Sequence, residues 1–210
     1  MPRTQATPLI CVEEGKLAEA GLPEAQRVWA DANGFSGQRG RLLALPSGSG
    51  ALSGYVFGLG EAADRPALVI GLAGAALGPG SYRLGGAYGD PTLAAIGFRL
   101  GAYRYDRYRQ GRPAPLLADP SGVDAGEAAR LVEAAVLARD LINAPANDLG
   151  PDAFETEIRA FAAARIMKVR VTSGDDLLRA NFPMIHAVGR ASPQAPRLID
   201  LTWGNARDPR

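Results

Sequence analysis

Apolar positions change their spacing repeatedly along this chain, as they do where strands alternate with helices. Leu9 to Val12 is a short apolar stretch. A helix follows it, with Pro23 near its start and Gly34 just past its end, the usual asymmetry of helix termini. Arg41 to Leu45 and Ser53 to Phe57 read as strands joined by the turn Ser47-Gly48-Ser49-Gly50. Pro66 opens a short helix that ends near Gly78-Pro79-Gly80, and Ser81 to Leu84 is extended. From Thr92 to Tyr103 a helical stripe runs through Leu93, Ile96, Gly97 and Leu100. Ala114 to Ala118 returns to extended chain. This alternation predicts a layered α/β segment reaching to about Pro120.

The second segment begins with the strongest helical signal. Asp124 and Glu127 have the spacing of a capping box, and Pro145 stops the helix. Ala128, Leu131, Val132, Ala135, Val136, Leu137, Leu141 and Ile142 cover more than one face, so this helix is expected to be largely buried, between separate sheets. Pro151 starts another helix, striped by Phe154, Ile158 and Phe161. Val169 and Val171 alternate with Lys168 and Arg170 in a half-exposed strand. Asp175 is placed to cap a short helix through Leu178. Met184 to Val188 is an unbroken apolar run, expected to be a strand buried on both faces. Leu198 to Trp203 is the last strand, and Gly204 to Arg210 has the composition of a turn leading to a further one.

Composition narrows the class. At 210 residues the chain can bury about 70% of its unfolded surface and needs no staple. A net charge of +1 gives no long-range pull toward nucleic acid or an anionic membrane. Cys11 is the only cysteine, which excludes an internal disulfide. No window approaches the roughly 18 apolar residues of a membrane span, and no signal peptide is expected. A cytoplasmic protein is the expectation. Lys16 and Lys168 are the only lysines. This arginine bias, with abundant Ala and Gly, reflects GC-rich coding more than function.

The residue types that carry chemistry are sparse. A metal site needs three or four converging His, Cys, Asp or Glu side chains. His186 and Cys11 are each the only residue of their type, and the neighbouring carboxylates of Glu13-Glu14 and Asp175-Asp176 diverge. His186, inside an apolar run, reads as a core histidine bonded to backbone, with no nucleophile proposed near it. Gly58-Leu59-Gly60-Glu61-Ala62-Ala63 fits a loose dinucleotide pattern, but lacks an acidic residue at the end of a second strand and reads as a tight turn. Arg99, Arg104, Arg107, Arg109 and Arg112 interleave with Tyr103, Tyr105 and Tyr108. Such a mixture can grip a nucleic-acid strand; the plainer reading is a helix C-terminus, where arginine complements the dipole, or a subunit contact. No catalytic, cofactor-binding or metal-binding residue is assigned.

One stretch goes further. Arg139-Asp140-Leu141-Ile142-Asn143-Ala144-Pro145-Ala146-Asn147-Asp148-Leu149-Gly150-Pro151 resembles the entry into the catalytic domain of the leucyl (cytosol) aminopeptidase family, with Ala144 where a threonine is usual. Phe182-Pro183-Met184-Ile185-His186-Ala187-Val188-Gly189-Arg190-Ala191-Ser192 resembles a later strand and its Val-Gly-x-x-Ser turn. Ala195 to Leu201 resembles the next strand, and Gly101 to Tyr108 the end of the family's N-terminal domain. The resemblance implies a macro-like α/β N-terminal domain over residues 1–120 and a connecting helix over 121–144. The start of an α/β aminopeptidase catalytic domain would then occupy 145–210. It also implies a homohexameric two-metal peptidase, using manganese or zinc to release N-terminal residues from peptides. The family's metal-binding and catalytic residues follow the strand at Leu198 to Trp203, in a Val-Gly-Lys-Gly segment and an Asp-(Thr/Ser)-Gly-Gly loop. Neither segment occurs here, so no family site residue carries over and this chain alone is expected to be inactive. The C-terminal remainder of the catalytic domain is then an expected partner; nucleic acid and membrane are not. The alternative is a stand-alone macro-like module that holds a nucleotide or an assembly partner.

Overall fold

Strand β1 (Thr7–Glu13) sets the layout because it is apolar on both faces. The computed structural model describes residues 6–109, 111–205, 207 and 208. Successive side chains of a strand point to opposite sides. Leu9 and Cys11 accordingly join one buried cluster, with Phe57, Leu59, Ile70, Ala73 and Phe98. Val12 joins another with Leu17, Ala30, Phe35, Leu45 and Val56, and Ile10 packs alongside. A strand buried on both sides belongs in the middle of a sheet. The order is β2 (Leu42–Pro46), β3 (Leu52–Gly60), β1, β4 (Ser81–Gly86), β5 (Leu116–Leu117). β1 runs parallel to both β3 and β4, with Leu9 opposite Tyr55 on one side and Leu84 on the other. β2 and β3 form the antiparallel hairpin expected from the Ser/Gly turn.

Helices cover both faces of this sheet. α1 (Glu24–Ala32) lies on one, fixed by Trp29, whose indole N–H donates to Ala44 O on the edge strand at 3.1 Å. α2 (Gly71–Ala76) and α3 (Pro91–Ala102) contribute to the core on the other. Asp90 caps α3 by accepting from Leu93 N at 2.7 Å, and Pro91 occupies the first turn, where its missing N–H costs nothing. α2 starts later than Pro66. Three-residue turn bonds run from Val69 N to Pro66 O and from Gly71 N to Leu68 O before the helix sets in, and no side chain there caps it. Gly71 and Gly74 of α2 meet α3 at its backbone. A methyl on Gly101 would strike Gly71 O, one on Gly74 would strike Phe98 O, and one on Gly71 would lie 2.9 Å from Gly97 O.

α4 (Ala125–Asn143) is one continuous helix. Only half of the capping box forms. Asp124 Oδ1 accepts from Glu127 N at 2.8 Å, but Asp124 N donates to Thr92 Oγ1, and the Glu127 carboxylate turns to Arg130. Near the other end, Arg139 donates to Leu100 O at 2.7 Å, with its guanidinium over the Tyr103 ring, and the Tyr103 hydroxyl donates to Asp140 at 2.6 Å. The polar pair of the Arg-Asp-Leu motif thus clasps the C-terminus of α3. The expectation that α4 is largely buried is not met. Of its side chains only Ala128 is buried, while Leu131 and Ile142 are 47% and 80% exposed.

The chain divides after Asp140 into two compact units. The second holds α5 (Pro151–Ala164), β6 (Lys168–Ser173), α6 (Asp176–Arg179), α7 (Pro183–Gly189) and β7 (Arg197–Thr202). β6 and β7 form an antiparallel ribbon, with Lys168 opposite Thr202 and Ser173 opposite Arg197. Gln194 serves α5 from a distance, its side-chain oxygen accepting from Asp152 N at 3.1 Å, and a side chain on Gly150 would collide with that amide. The run Met184 to Val188 is a helix, not the buried strand expected of it. Pro183 fits the first turn of a helix, and a run of five residues is too short to separate the two periods. None of the α7 residues is buried.

The glycine contact between α2 and α3 gives a direct test. Gly101→Ala is expected to cost about 2–3 kcal/mol by overpacking, read as a lower urea midpoint. Gly78→Ala, which has nothing within 4 Å of the new methyl, is the near-neutral control.

Candidate functional site

The glycines of the loose dinucleotide pattern are explained by packing. Gly58 and Gly60 end β3, where the segment 37–41 crosses it. Gly58 N donates to Arg41 O and Gly60 N to Gly37 O, both at 2.8 Å. A side chain on Gly58 would strike Gln38 O, and one on Gly60 would lie 2.8 Å from Arg39 Cβ. Those two amides are spent inside the fold, so they do not form a phosphate cradle.

Of the arginine–tyrosine stretch, Arg99 and Arg104 have partners within the fold near the end of α3. Arg99 pairs with Asp119. Arg104 donates to the carbonyls of Gly101, Tyr103 and Ala75 at 2.9–3.0 Å, gathering backbone oxygens near the C-terminal ends of α2 and α3. Tyr105 and Tyr108 stack edge to face with centroids 5.9 Å apart. An open crevice of about 740 Å³ lies here, lined by Arg99, Tyr103, Arg104, Arg112, Pro115 and Leu116 among others.

Where the parallel strands β1 and β4 end, a smaller crevice of about 330 Å³ is lined by Cys11, Glu13, Lys16, Glu19 and Gly86. Glu13 is its organised charge. It pairs with Lys16 and with Arg65, each at 2.6 Å. The Lys16 hydrogen bond, followed by that of Arg65, draws the Glu13 carboxyl down to about 2. Cys11 is 1% exposed, and burial pushes its thiol up to about 12, against the opposing pull of Arg65. A thiol so protonated is neither nucleophile nor metal ligand. Arg65 lies 52 residues from Glu13 and carries no sequence signal that would pair them.

In the second unit, His186 is not a core histidine bonded to backbone. It lies on α7, with Nε2 3.3 Å from Asp175 Oδ1. Asp175 stands at the N-terminus of α6 but makes no capping bond. Asp176 pairs with Arg179, and Arg197 bridges Asp152 and Glu155. The Arg159 hydrogen bond, reinforced by Arg197, lowers the Glu155 carboxyl. Among the described residues no three His, Cys, Asp or Glu side chains converge on one point. Asp152, Glu155 and Asp176 are held by arginines and Asp175 faces His186; with no converging set of three donors among the described residues, they do not fit the two divalent ions that the resemblance implies, and no catalytic step is derived from them. No described helix is long and apolar enough to cross a membrane.

Two measurements check this charge and thiol arrangement. Glu13 has its carboxyl lowered from 4.5 to about 2. Its stabilising contribution is therefore complete above 4.5 and lost as pH falls through about 2. Glu13→Gln is expected to lower the thermal midpoint at neutral pH and to flatten its fall across that acid window. Cys11 is expected to resist an aromatic disulfide reagent in the folded protein at mildly alkaline pH, and to react fully once urea unfolds it.

The comparisons with known proteins fall on both units. Residues 8–118 match the family described as "M17 aminopeptidase, N-terminal domain", and residues 136–210 match "Cytosol aminopeptidase family, catalytic domain". A probable cytosol aminopeptidase of Corynebacterium diphtheriae is 31% identical over 91% of this chain and 43% of its own length. One from Methylorubrum populi is 28% identical over 93% of this chain and 44% of its own. The crystal structure of a cytosol aminopeptidase from Coxiella burnetii superposes with a TM-score of 0.84 at 28% identity, covering all of this chain and 46% of that one. The bottromycin maturation enzyme BotP, in complex with Mn, superposes at 0.78 and 30% identity, over 96% of this chain and 46% of its own. The chain thus spans less than half the length of the relatives it matches. With the two family domains in order on the chain, it belongs to the M17 cytosol aminopeptidase family, as the N-terminal domain and the start of the catalytic domain.

Proposed function

We propose that this chain is the scaffold portion of a metalloaminopeptidase, and that the complete protein releases N-terminal amino acids from peptides by two-metal hydrolysis. The observation that carries this reading is the ordered pair of domain matches, 8–118 and 136–210, on one chain. In the complete protein two divalent ions would supply Lewis acidity to the hydrolysis, held by residues outside this chain. The BotP structure in complex with Mn supports manganese as a working metal, and zinc is the other candidate. Residues 1–120 act as the macro-like domain, 121–144 as the connector and 145–210 as the opening of the catalytic domain. The complete protein acts in the cytoplasm as a hexamer, with peptides as its substrates and neither membrane nor nucleic acid as a principal partner. Arg99 and Arg104 bear on the last point, since both are committed to partners within the fold.

The test is an assay on leucine p-nitroanilide with manganese or zinc. The complete protein is expected to hydrolyse it, and residues 1–210 alone are expected to stay at background with no tightly held metal pair by mass spectrometry. Turnover by this chain alone would relocate the active site into it. An inert complete protein would sink the aminopeptidase reading.

A further inference from the structure

The chain between α3 and β5 carries more positive charge than the fold uses. Arg99 is neutralised by Asp119. Arg104 donates to three backbone carbonyls, so its charge meets no carboxylate. Arg109 and Arg112 are exposed and, among the described residues, make neither an ion pair nor a hydrogen bond.

Two crevices meet on these residues. The one of about 740 Å³ and a second of about 540 Å³ share Arg104, Asp106, Gly111 and Arg112. Arg109 and Tyr105 line the second alone. The apolar residues of 113–117 line the first alone, and Leu116 there is 67% exposed. Asp106 is the single acidic residue on either lining, against Arg104, Arg109 and Arg112, which have no carboxylate partner. The Tyr105 hydroxyl is buried and has no hydrogen-bond partner among the described residues, a costly state for a polar group.

These features select an occupant by its chemistry. The space exceeds what a lone inorganic anion fills and has the size of a site for an organic ligand. An added β-strand is a poor fit, because Pro113 and Pro115 remove backbone donors just where β5 begins. The occupant is therefore held by side chains. Guanidinium forks match phosphate oxygens in pairs. Two linked phosphates offer acceptors to Arg104 and Arg112 at the junction and to Arg109 beyond it, where a single carboxylate has only two oxygens to share. A nucleic-acid strand gains its affinity from phosphate contacts repeated along a surface, whereas these arginines converge on one place in a chain of net charge +1.

We infer that the joined crevices bind an organic diphosphate, its phosphates on Arg104, Arg109 and Arg112 and its aromatic or apolar body against the 113–117 wall. The site lies wholly within the first unit and does not depend on the aminopeptidase reading.

The experiment is calorimetric titration of residues 1–210, at low ionic strength with a metal chelator present. The probes are ADP, AMP, inorganic pyrophosphate, citrate and a short oligonucleotide. ADP is expected to saturate one site, about tenfold tighter than AMP or citrate, and to weaken as salt is added. Pyrophosphate, lacking the body, is expected to fall between ADP and AMP. Arg109→Gln and Arg112→Gln are each expected to weaken ADP about tenfold, and Arg112→Lys to recover only part of the loss, because an ammonium lacks the fork. Both arginines are exposed and unbonded, so unchanged thermal midpoints are expected to show that the variants fold. Arg83→Gln, which removes the same charge from an exposed position on β4, is expected to leave ADP binding unchanged. Tyr105→Phe is expected to weaken ADP without lowering the thermal midpoint. Absence of saturable ADP binding would overturn the inference, as would ADP binding that survives both arginine substitutions. Citrate binding as tightly as ADP would reduce the site to a general anion patch. An oligonucleotide that outcompetes ADP through Arg109 and Arg112 would make it a nucleic-acid surface instead.

Discussion

Backbone meets backbone where α2 crosses α3, and the first unit is arranged around that contact. Gly71, Gly74, Gly97 and Gly101 leave no side chain between the helices. The two can then sit as a single thin layer and present Ile70, Ala73, Ala94 and Phe98 together to the sheet. Interiors are packed to crystal-like density, so a layer thickened by even one methyl would have to lift off Leu9, Cys11 and Phe57 beneath it. The C-terminus of α3, fixed by this contact, is also where Arg139 and Tyr103 attach α4. The connector thus depends on the same four glycines.

Much of this architecture was legible in the chain because it rests on local signals. The Ser47 to Gly50 turn between two apolar runs, Pro23 and Gly34 around the first helix, and Pro151 at the start of α5 each specify a boundary within a few residues. What was not legible depends on partners distant in sequence. The Glu127 half of the capping box lost Asp124 N to Thr92, 32 residues away. Gly58 and Gly60 read as a tight turn but end strand β3, because the crossing segment at 37–41 that needs them cannot be seen in their own neighbourhood. The α7 run was misread for a different reason. A run of five residues carries no period, and the termini, Pro183 and Gly189, held the information. His186 moved with that error, from an imagined core strand to a helix face beside Asp175.

The two units differ in how completely they satisfy themselves. The first has buried clusters on both faces of a five-stranded sheet. The second is held largely by polar work at its seams: Gln194 on α5, Arg197 across Asp152 and Glu155, and Gly174 N to Pro196 O at 2.8 Å. Exposed ion pairs contribute little each, so such seams fix geometry more than they supply stability. No site was legible in the sequence, and among the described residues no three metal-type donors converge: Asp152 and Glu155 are committed to Arg197, Asp176 to Arg179, and Asp175 faces His186.

The central position of β1 has a consequence for how the molecule is made. It is synthesised before the other described strands, yet its neighbours on the two sides are β3 and β4, so its pairing is finished only after Gly86 has been synthesised. Until then a strand apolar on both faces, Leu9 to Val12, waits with open edges. Synthesis proceeds at about 5–20 residues per second, which leaves it exposed for seconds. That interval, more than any weakness of the finished fold, is when the N-terminal segment is most open to capture by chaperones or by other nascent chains.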